Sequence, residues 1–199
     1  VNPDRGIRLI KAKKDLGEGQ IVKARVKDWG SPVKPIIAEL QTVIGKAEDP
    51  VNDMKMILNK YDYLQEFPQK VMEEVKRFSQ KSIAQEISNR RDLREWTSFT
   101  IDPVDAKDFD DAISIKQNRN GYELGVHIAD VSHFVEQNTY IDREAIQRST
   151  SVYFTEGVVH MLPEALSANL CSLRPNEDRL AVSAIMKMDK DFNIMEKEI

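Results

Sequence analysis

Three short stretches of mixed apolar and polar residues open the chain and read as strands, over 6–12, 20–29 and 35–44. Alternation is imperfect in the second, where Ile21, Ala24, Val26 and Asp28 break the period of two. Gly30-Ser31-Pro32 is turn chemistry, and Gly45 ends the third stretch. Short strands with glycine punctuation suit a small barrel or its remnant, such as part of an oligonucleotide-binding fold. Past Asp49-Pro50 the period becomes helical, with Asn52 or Asp53 as cap and Met54, Ile57 and Leu58 on one face. Phe67-Pro68 breaks that helix. A second is predicted over 69–88, with an apolar stripe of Val71, Met72, Val75, Phe78, Ile83 and Ile87. Residues 89–96 form a connector in which Arg90, Arg91 and Arg94 stand beside Asp92 and Glu95, the pattern of a surface ion-pair cluster.

Beyond the connector the pattern turns strand-like. Residues 98–101 and 112–115 are rich in β-branched and apolar types. Asn118-Arg119-Asn120-Gly121 is a hairpin turn leading into a strand over 122–129, and a helix is predicted over 140–149. Strands over 180–188 and 192–199 are joined by a turn at 189–191. The fold class predicted is α+β, mainly antiparallel sheet with helices, preceded by a small β-barrel-like remnant and a helical linker.

Composition narrows the class without choosing a function. A chain of 199 residues, 41% hydrophobic and 31% charged, has enough apolar material for a core. Its net charge of -4 supplies no global basic field for nucleic acid, although an enzyme can grip a substrate locally. The single Cys171 permits no internal disulfide, and there is neither a membrane-length apolar run nor a signal-peptide core, so the cytoplasm is the expected setting. Val1 stands where an initiator Met would, and Ile199 falls in an apparent mid-strand; a piece of a longer protein is expected.

The candidate chemistry lies between the strand-like stretches. Asp102, Asp105, Asp108, Asp110 and Asp111 crowd into one short span, with only Lys107 of opposite sign. Like charges this close repel, and burying them unpaired costs several kcal/mol or forces protonation. A divalent cation removes the difficulty, because hard carboxylate oxygens are what magnesium prefers. Charge density alone leaves a solvated acidic loop equally open. Asp102, Asp105, Asp108 and Asp111 recur at intervals of three, but Pro103 and the flanking strands argue against a helix, leaving a strand-loop-strand unit. An EF-hand is excluded, since counting from Asp108 the third ligand position is Ala112 and the glycine position Ile113.

Other candidates have plainer readings. Lys11, Lys13 and Lys14 guard a strand edge, and Trp29 beside its turn reads as a core anchor. His127, Asp130 and His133 have a spacing that could hold zinc, but strand alternation parts His127 from Asp130, which reads as a turn or cap.

The segment Thr100-Ile101-Asp102-Pro103-Val104-Asp105-Ala106-Lys107-Asp108-Phe109-Asp110-Asp111-Ala112 resembles the signature that opens the catalytic RNB domain of the RNase II/RNase R exoribonuclease family. Residues 125–135, 148–154, 161–167 and 170–174 resemble further family motifs in family order, so the resemblance covers about Phe99 to the C-terminus. Within the family the chain is more similar to the RNase R branch. His160 and Thr155 depart from it, standing where the family often has proline, which bears on loop shape more than on chemistry.

The resemblance implies a division into a partial cold-shock-like β module over 1–48, a helical linker over 49–95 and the N-terminal part of an RNB domain over 96–199. It implies a magnesium-dependent 3′-to-5′ exoribonuclease, with Mn2+ as a substitute ion, releasing nucleoside 5′-monophosphates processively from single-stranded RNA. Asp102, Asp108, Asp110 and Asp111 match the family's catalytic, metal-holding aspartates, with Asp110 the most critical, whereas Asp105 is outside that set. Tyr153 matches the tyrosine that contacts the 3′-terminal nucleotide. The family's catalytic domain runs well past residue 199, bringing an arginine and a glutamate that this stretch does not supply. The competing reading is a non-catalytic RNA-binding module, against which the acidic set speaks, since binding alone favours Lys and Arg.

Overall fold

Strand bulges explain the broken alternation near the N-terminus. In the computed structural model, which describes residues 6–10, 16–49, 51–61, 63, 66–155 and 157–199, β1 spans Ile7–Ile10, β2 Gln20–Asp28 and β3 Ile36–Lys46. Lys11, Lys13, Lys14 and Pro50 lie outside the described residues. β2 pairs antiparallel with β3 through register shifts at Ile21/Val22 and Lys23/Ala24, where the extra residue lies in β3, and at Val26/Asp28, where it lies in β2 and turns that strand's side-chain period over. The sheet order is β1-β3-β2, with β1 parallel to β3.

Helix α1, Val51–Lys60, follows β3. Asn52 does not cap it as predicted. It is buried in the first turn, where its side-chain amide donates to the Lys46 carbonyl at 3.0 Å. A Cβ on Gly45 would run into that amide, so glycine is the residue that lets strand and helix approach here. Leu58 is buried as predicted while Ile57 is exposed. Trp29 is no core anchor: it is 69% exposed.

These elements belong to one of two units, Val1–Glu66 with Tyr153–Val158; the other is Phe67–Val152 with Val159–Ile199. In the second unit the helix predicted over 69–88 is two helices, α2 (Gln69–Val75) and α3 (Gln80–Glu86), with a 3-10 turn at Ile87–Asn89. Ser79 causes the break. It is extended (φ -159°), its hydroxyl accepts the Lys81 N–H, and Ser82 caps it back in a capping box. The interruption frees Phe78 to meet the Phe134 ring edge-on at 5.5 Å between centroids. Val71, Val75 and Ile83 are buried, but Met72 turns outward, so the stripe is narrower than its periodicity suggested.

The main sheet contains β4 (Ser98–Phe99), β5 (Asp111–Asn118), β6 (Gly121–Ala129), β9 (Ala181–Met188) and β10 (Ile194–Glu198), in the order β10-β9-β6-β5-β4. Every pairing in it is antiparallel. Helix α4 (Tyr140–Arg148) is capped by Thr139, whose hydroxyl accepts the Asp142 N–H at 3.2 Å. A ribbon of β7 (Val152–Phe154) and β8 (Gly157–Val159) and a π-helical turn at Leu166–Leu170 complete the chain before β9. The core joins α2, α3 and α4 to the π turn through Ile83, Phe134, Ile141, Leu166 and Leu170.

Three polar arrangements are buried with this core. His127 stands between the hydroxyls of Ser114 and Ser183, each 2.8 Å from a ring nitrogen, and burial lowers its pKa. A Cβ on Gly125 would lie 2.5 Å from the Ser114 hydroxyl and 2.7 Å from the ring, so this packing needs glycine. Arg148 donates to Glu144 at 2.9 Å and to the His160 carbonyl at 3.2 Å, with its guanidinium 3.8 Å from the Phe67 ring centre.

Asp130 is the cap the sequence suggested. It accepts the His133 N–H at 3.2 Å and the Ser132 hydroxyl at 2.6 Å, and pairs with Arg90 at 2.8 Å. Burial works against its charge, but the Ser132 hydroxyl and the Arg90 guanidinium outweigh it and hold the carboxyl below its usual value. A depressed carboxyl contributes stability that is present above the unfolded pKa of about 3.9 and lost as pH falls through the folded value. Asp130→Asn is therefore expected to cost about 2 kcal/mol at pH 7 and to flatten the loss of stability below about pH 4, measured by urea unfolding across pH. An unchanged acid limb in the variant would remove Asp130 as its source.

Candidate active site

The acidic span is a loop because its ends are fixed by the sheet. β4 pairs with β5 only through Ser98↔Ser114 and Phe99↔Ile113, so residues 100–110 must leave the ladder and return. Pro103 lacks the N–H a ladder needs, and a turn at Val104-Asp105 reverses the chain. Asp111 is not in the loop. It is the first residue of β5, opposite Ile128, and its place is set by strand pairing.

Four backbone hydrogen bonds tie the loop's second half to its surroundings. The Ser172 hydroxyl donates to the Lys107 carbonyl at 2.9 Å and accepts the Phe109 N–H at 3.0 Å. Leu173 N–H donates to the Phe109 carbonyl at 2.8 Å, and Ala129 N–H to the Asp110 carbonyl at 2.9 Å. The side chains of Asp102, Asp105, Asp110 and Asp111 are exposed, and Asp108 is half-buried.

The carboxylates feel one another. Partial burial, then the negative charges of Asp108, Asp111 and Asp102, raise the Asp110 carboxyl above the usual range. Among the described residues, no three His, Cys, Asp or Glu side chains are gathered closely enough to hold a metal ion. As they stand the aspartates form no ready cage; their oxygens are the hard donors a divalent cation takes, and the carboxyls would have to rotate toward it. Asp102, Asp108, Asp110 and Asp111 are the residues that could hold one.

The remaining candidates separate cleanly. Tyr153 is 63% exposed on β7, in the first unit, whereas the aspartates belong to the second. His127 and Asp130 are occupied with the serines and Arg90 already described, and His133 packs edge-on to Phe134. The connector arginines are ion-paired: Arg90 with Asp130, Arg91 with Glu198, Arg94 with Asp92 and Asp178. Sequence reasoning missed Ser172. It lies in the motif 170–174, but a lone serine carries no signal of what its hydroxyl reaches 63 residues away.

The chain is similar to known proteins over nearly its whole length. A family model described as RNB domain matches residues 90–199, and one described as cold shock domain matches 7–68. Ribonuclease R of Aquifex aeolicus is 41% identical over 196 residues, covering 96% of this chain and 28% of that protein. Ribonuclease R of Chlamydia trachomatis is 44% identical over 193 residues, with the same coverages. Mycoplasma genitalium RNase R, solved in an apo form, superposes with TM-score 0.86 at 30% identity, over 98% of this chain and 31% of that one. The same relative is also solved in complex with ribose methylated single-stranded RNA, at TM-score 0.86 and 29% identity. The chain thus spans under a third of the relatives it matches.

Raising a carboxyl pKa on folding has the opposite sign to the Asp130 case. Stability present below the unfolded pKa of about 3.9 is lost as pH rises through the folded value of Asp110. Asp110→Asn is expected to raise the melting temperature by about 2 °C at pH 7 in chelator, and by nothing at pH 3. Asp111→Asn should shift the Asp110 carboxyl titration, followed by carbon NMR, toward its ordinary value. A melting temperature equal or lower at pH 7 would mean that the carboxyls do not repel.

Proposed function

This chain belongs to the RNB domain family, and from that membership we propose that it forms the metal-holding part of an exoribonuclease that shortens single-stranded RNA from its 3′ end. The observation that carries the reading is the loop at 100–110 with Asp111 beyond it, which carries Asp102, Asp108 and Asp110 and is held from outside by the Ser172 hydroxyl and the Leu173 and Ala129 N–H groups. Burial, then the charges of the other three aspartates, raises the Asp110 carboxyl, a cost that a divalent cation among them would offset.

Phosphodiester hydrolysis needs the phosphate charge offset and a water made nucleophilic, which magnesium supplies when bound. The work of the chain's own residues is to present oxygens in a fixed order. Asp111 is held by strand β5 and Asp110 by the Ala129 N–H on its carbonyl, so these neighbouring carboxylates start from rigid backbone. Asp108 sits between the two contacts of the Ser172 hydroxyl, and Asp102 enters from the opposite limb of the loop. In this reading Asp110 is the most critical for chemistry and Asp102, Asp108 and Asp111 chiefly position metal. Tyr153, with its ring exposed, stacks on the 3′-terminal nucleotide. Release of nucleoside 5′-monophosphates, processive action, magnesium with manganese as substitute, and a cytoplasmic setting belong to the same proposal. The four aspartates weigh against an RNA-binding module that does no chemistry, since binding alone favours Lys and Arg at such positions.

The test uses 5′-labelled single-stranded RNA with magnesium or chelator, the chain as it stands and a C-terminally extended form. The expected result is a 3′-shortened ladder from the extended form, reduced at least a hundredfold in Asp110→Asn and absent in chelator. RNA retained without cutting by both forms, with or without magnesium, would replace the enzyme reading with the binding module.

A further inference from the structure

The acidic loop carries no helix and no ladder hydrogen bonds, and its second half is held from outside. Around Asp108 one hydroxyl makes two of those contacts. Ser172 Oγ donates to the carbonyl of Lys107 at 2.9 Å and accepts the N–H of Phe109 at 3.0 Å. These groups belong to the two peptide planes flanking Asp108, and fixing both planes fixes the backbone dihedrals of the residue between them. The Leu173 N–H, one residue on, adds the bond to the Phe109 carbonyl at 2.8 Å.

Ser172 is itself immobile. Its side chain is wholly buried, and its N–H donates to the Asn169 carbonyl at 3.0 Å. The Arg179 Nε–H donates to the Ser172 carbonyl at 2.9 Å and to the Asn169 carbonyl at 3.0 Å. A hydroxyl donates one hydrogen bond and accepts others from a short stem, so serine serves both partners at once; alanine would serve neither.

We propose that Ser172 is a positioning residue for the metal site, clamping the chain around Asp108 so that the carboxylates of Asp108 and Asp110 are presented to one ion. This rests on the metal-holding reading above. Orientation of first ligands by a neighbour that never touches the ion is a general feature of metal sites, and its loss typically costs ten- to a hundredfold in affinity.

Manganese binding to the chain, followed by the loss of the free-ion EPR signal, tests this without reference to catalysis. The variants are Ser172→Ala, Asp110→Asn and Ser183→Ala, the last removing a hydroxyl that contacts His127 and no part of the loop. Each is measured well below its own melting temperature. The expected result is binding by the wild-type chain that Asp110→Asn abolishes, Ser183→Ala leaves unchanged and Ser172→Ala weakens by about ten- to a hundredfold. Amide hydrogen exchange at Phe109 should speed up in Ser172→Ala alone. Should that variant fail to fold, Ser172→Cys under reducing conditions, close in volume but a weak hydrogen-bonding group, is held to the same criterion. Wild-type affinity in a folded Ser172 variant overturns the proposal alone. Failure of the wild-type chain to bind manganese overturns the metal reading and the clamp with it.

Discussion

Electrostatic repulsion among the loop aspartates is the constraint on which the rest of the second unit turns. Burial, then the charges of Asp108, Asp111 and Asp102, raises the Asp110 carboxyl, and like charges cannot hold themselves together. Hydrogen bonds to its backbone carry the second half of the loop. Its anchors are the Ser172 hydroxyl, the Leu173 N–H and the Ala129 N–H, which come from two places in the sequence far from the loop and from each other. Both places rest on the hydrophobic core, Ala129 directly and Ser172 through its neighbours Leu170 and Cys171. Packing thus offsets at a distance what the charges cost locally. Cys171 belongs to the same logic. Burial, then the charges of Asp110 and Asp130, push its thiol up to about 12, so it stays neutral beneath an already crowded set of anions.

Positive charge in this unit is spent close to where it arises. Arg90 neutralises the buried Asp130, Arg179 reaches Glu177 at 2.6 Å, and Arg148 lies against Glu144 inside the core. Arg91 and Arg94, more exposed, pair with Glu198 and with Asp92 and Asp178, contacts that stabilise little individually. What these pairs achieve is placement. Arg179 and Asp130 each tie a turn to the end of a strand, Arg179 through the carbonyls of Asn169 and Ser172, Asp130 through the first turn after β6. The anchors of the acidic loop are the neighbours of those turns.

Local chemistry was legible in the sequence wherever one segment decided its own form. Asn118 to Gly121 is the hairpin that its composition promised, with the Asn118 carboxamide accepting the Asn120 N–H. The antiparallel sheet, the helix predicted over 140–149 and the strand-loop-strand form of the acidic span followed from period, turn residues and Pro103. The motif-level resemblance supplied the family, and the RNB match over 90–199 agrees with it. What stayed hidden depends on partners distant in sequence. Ser79 interrupts a helix whose apolar period runs on unbroken, because its capping bonds outweigh the stripe. Asn52 is drawn under Gly45 instead of capping, and Trp29 lies exposed although its type suggests otherwise. The parallel placement of β1 beside β3 has no local signature at all.

The π-helical turn at Leu166–Leu170 shows why the site could not be read from its aspartates alone. Its hydrogen bond, from the Cys171 N–H to the Leu166 carbonyl at 2.8 Å, spans one residue more than an α-helical bond would. Such turns are less favourable than α-helix and persist mainly where the extra residue aims a group at something. Here the chain leaving the turn aims Ser172 at Lys107 and Phe109, while Leu166 and Leu170 hold the turn in the core. An α-helical continuation would shift the register of Cys171 and Ser172 by a residue and rotate the hydroxyl off the loop. The irregular turn and the strained charge cluster are therefore one arrangement. The first is the geometric condition for holding the backbone beneath carboxylates that repel.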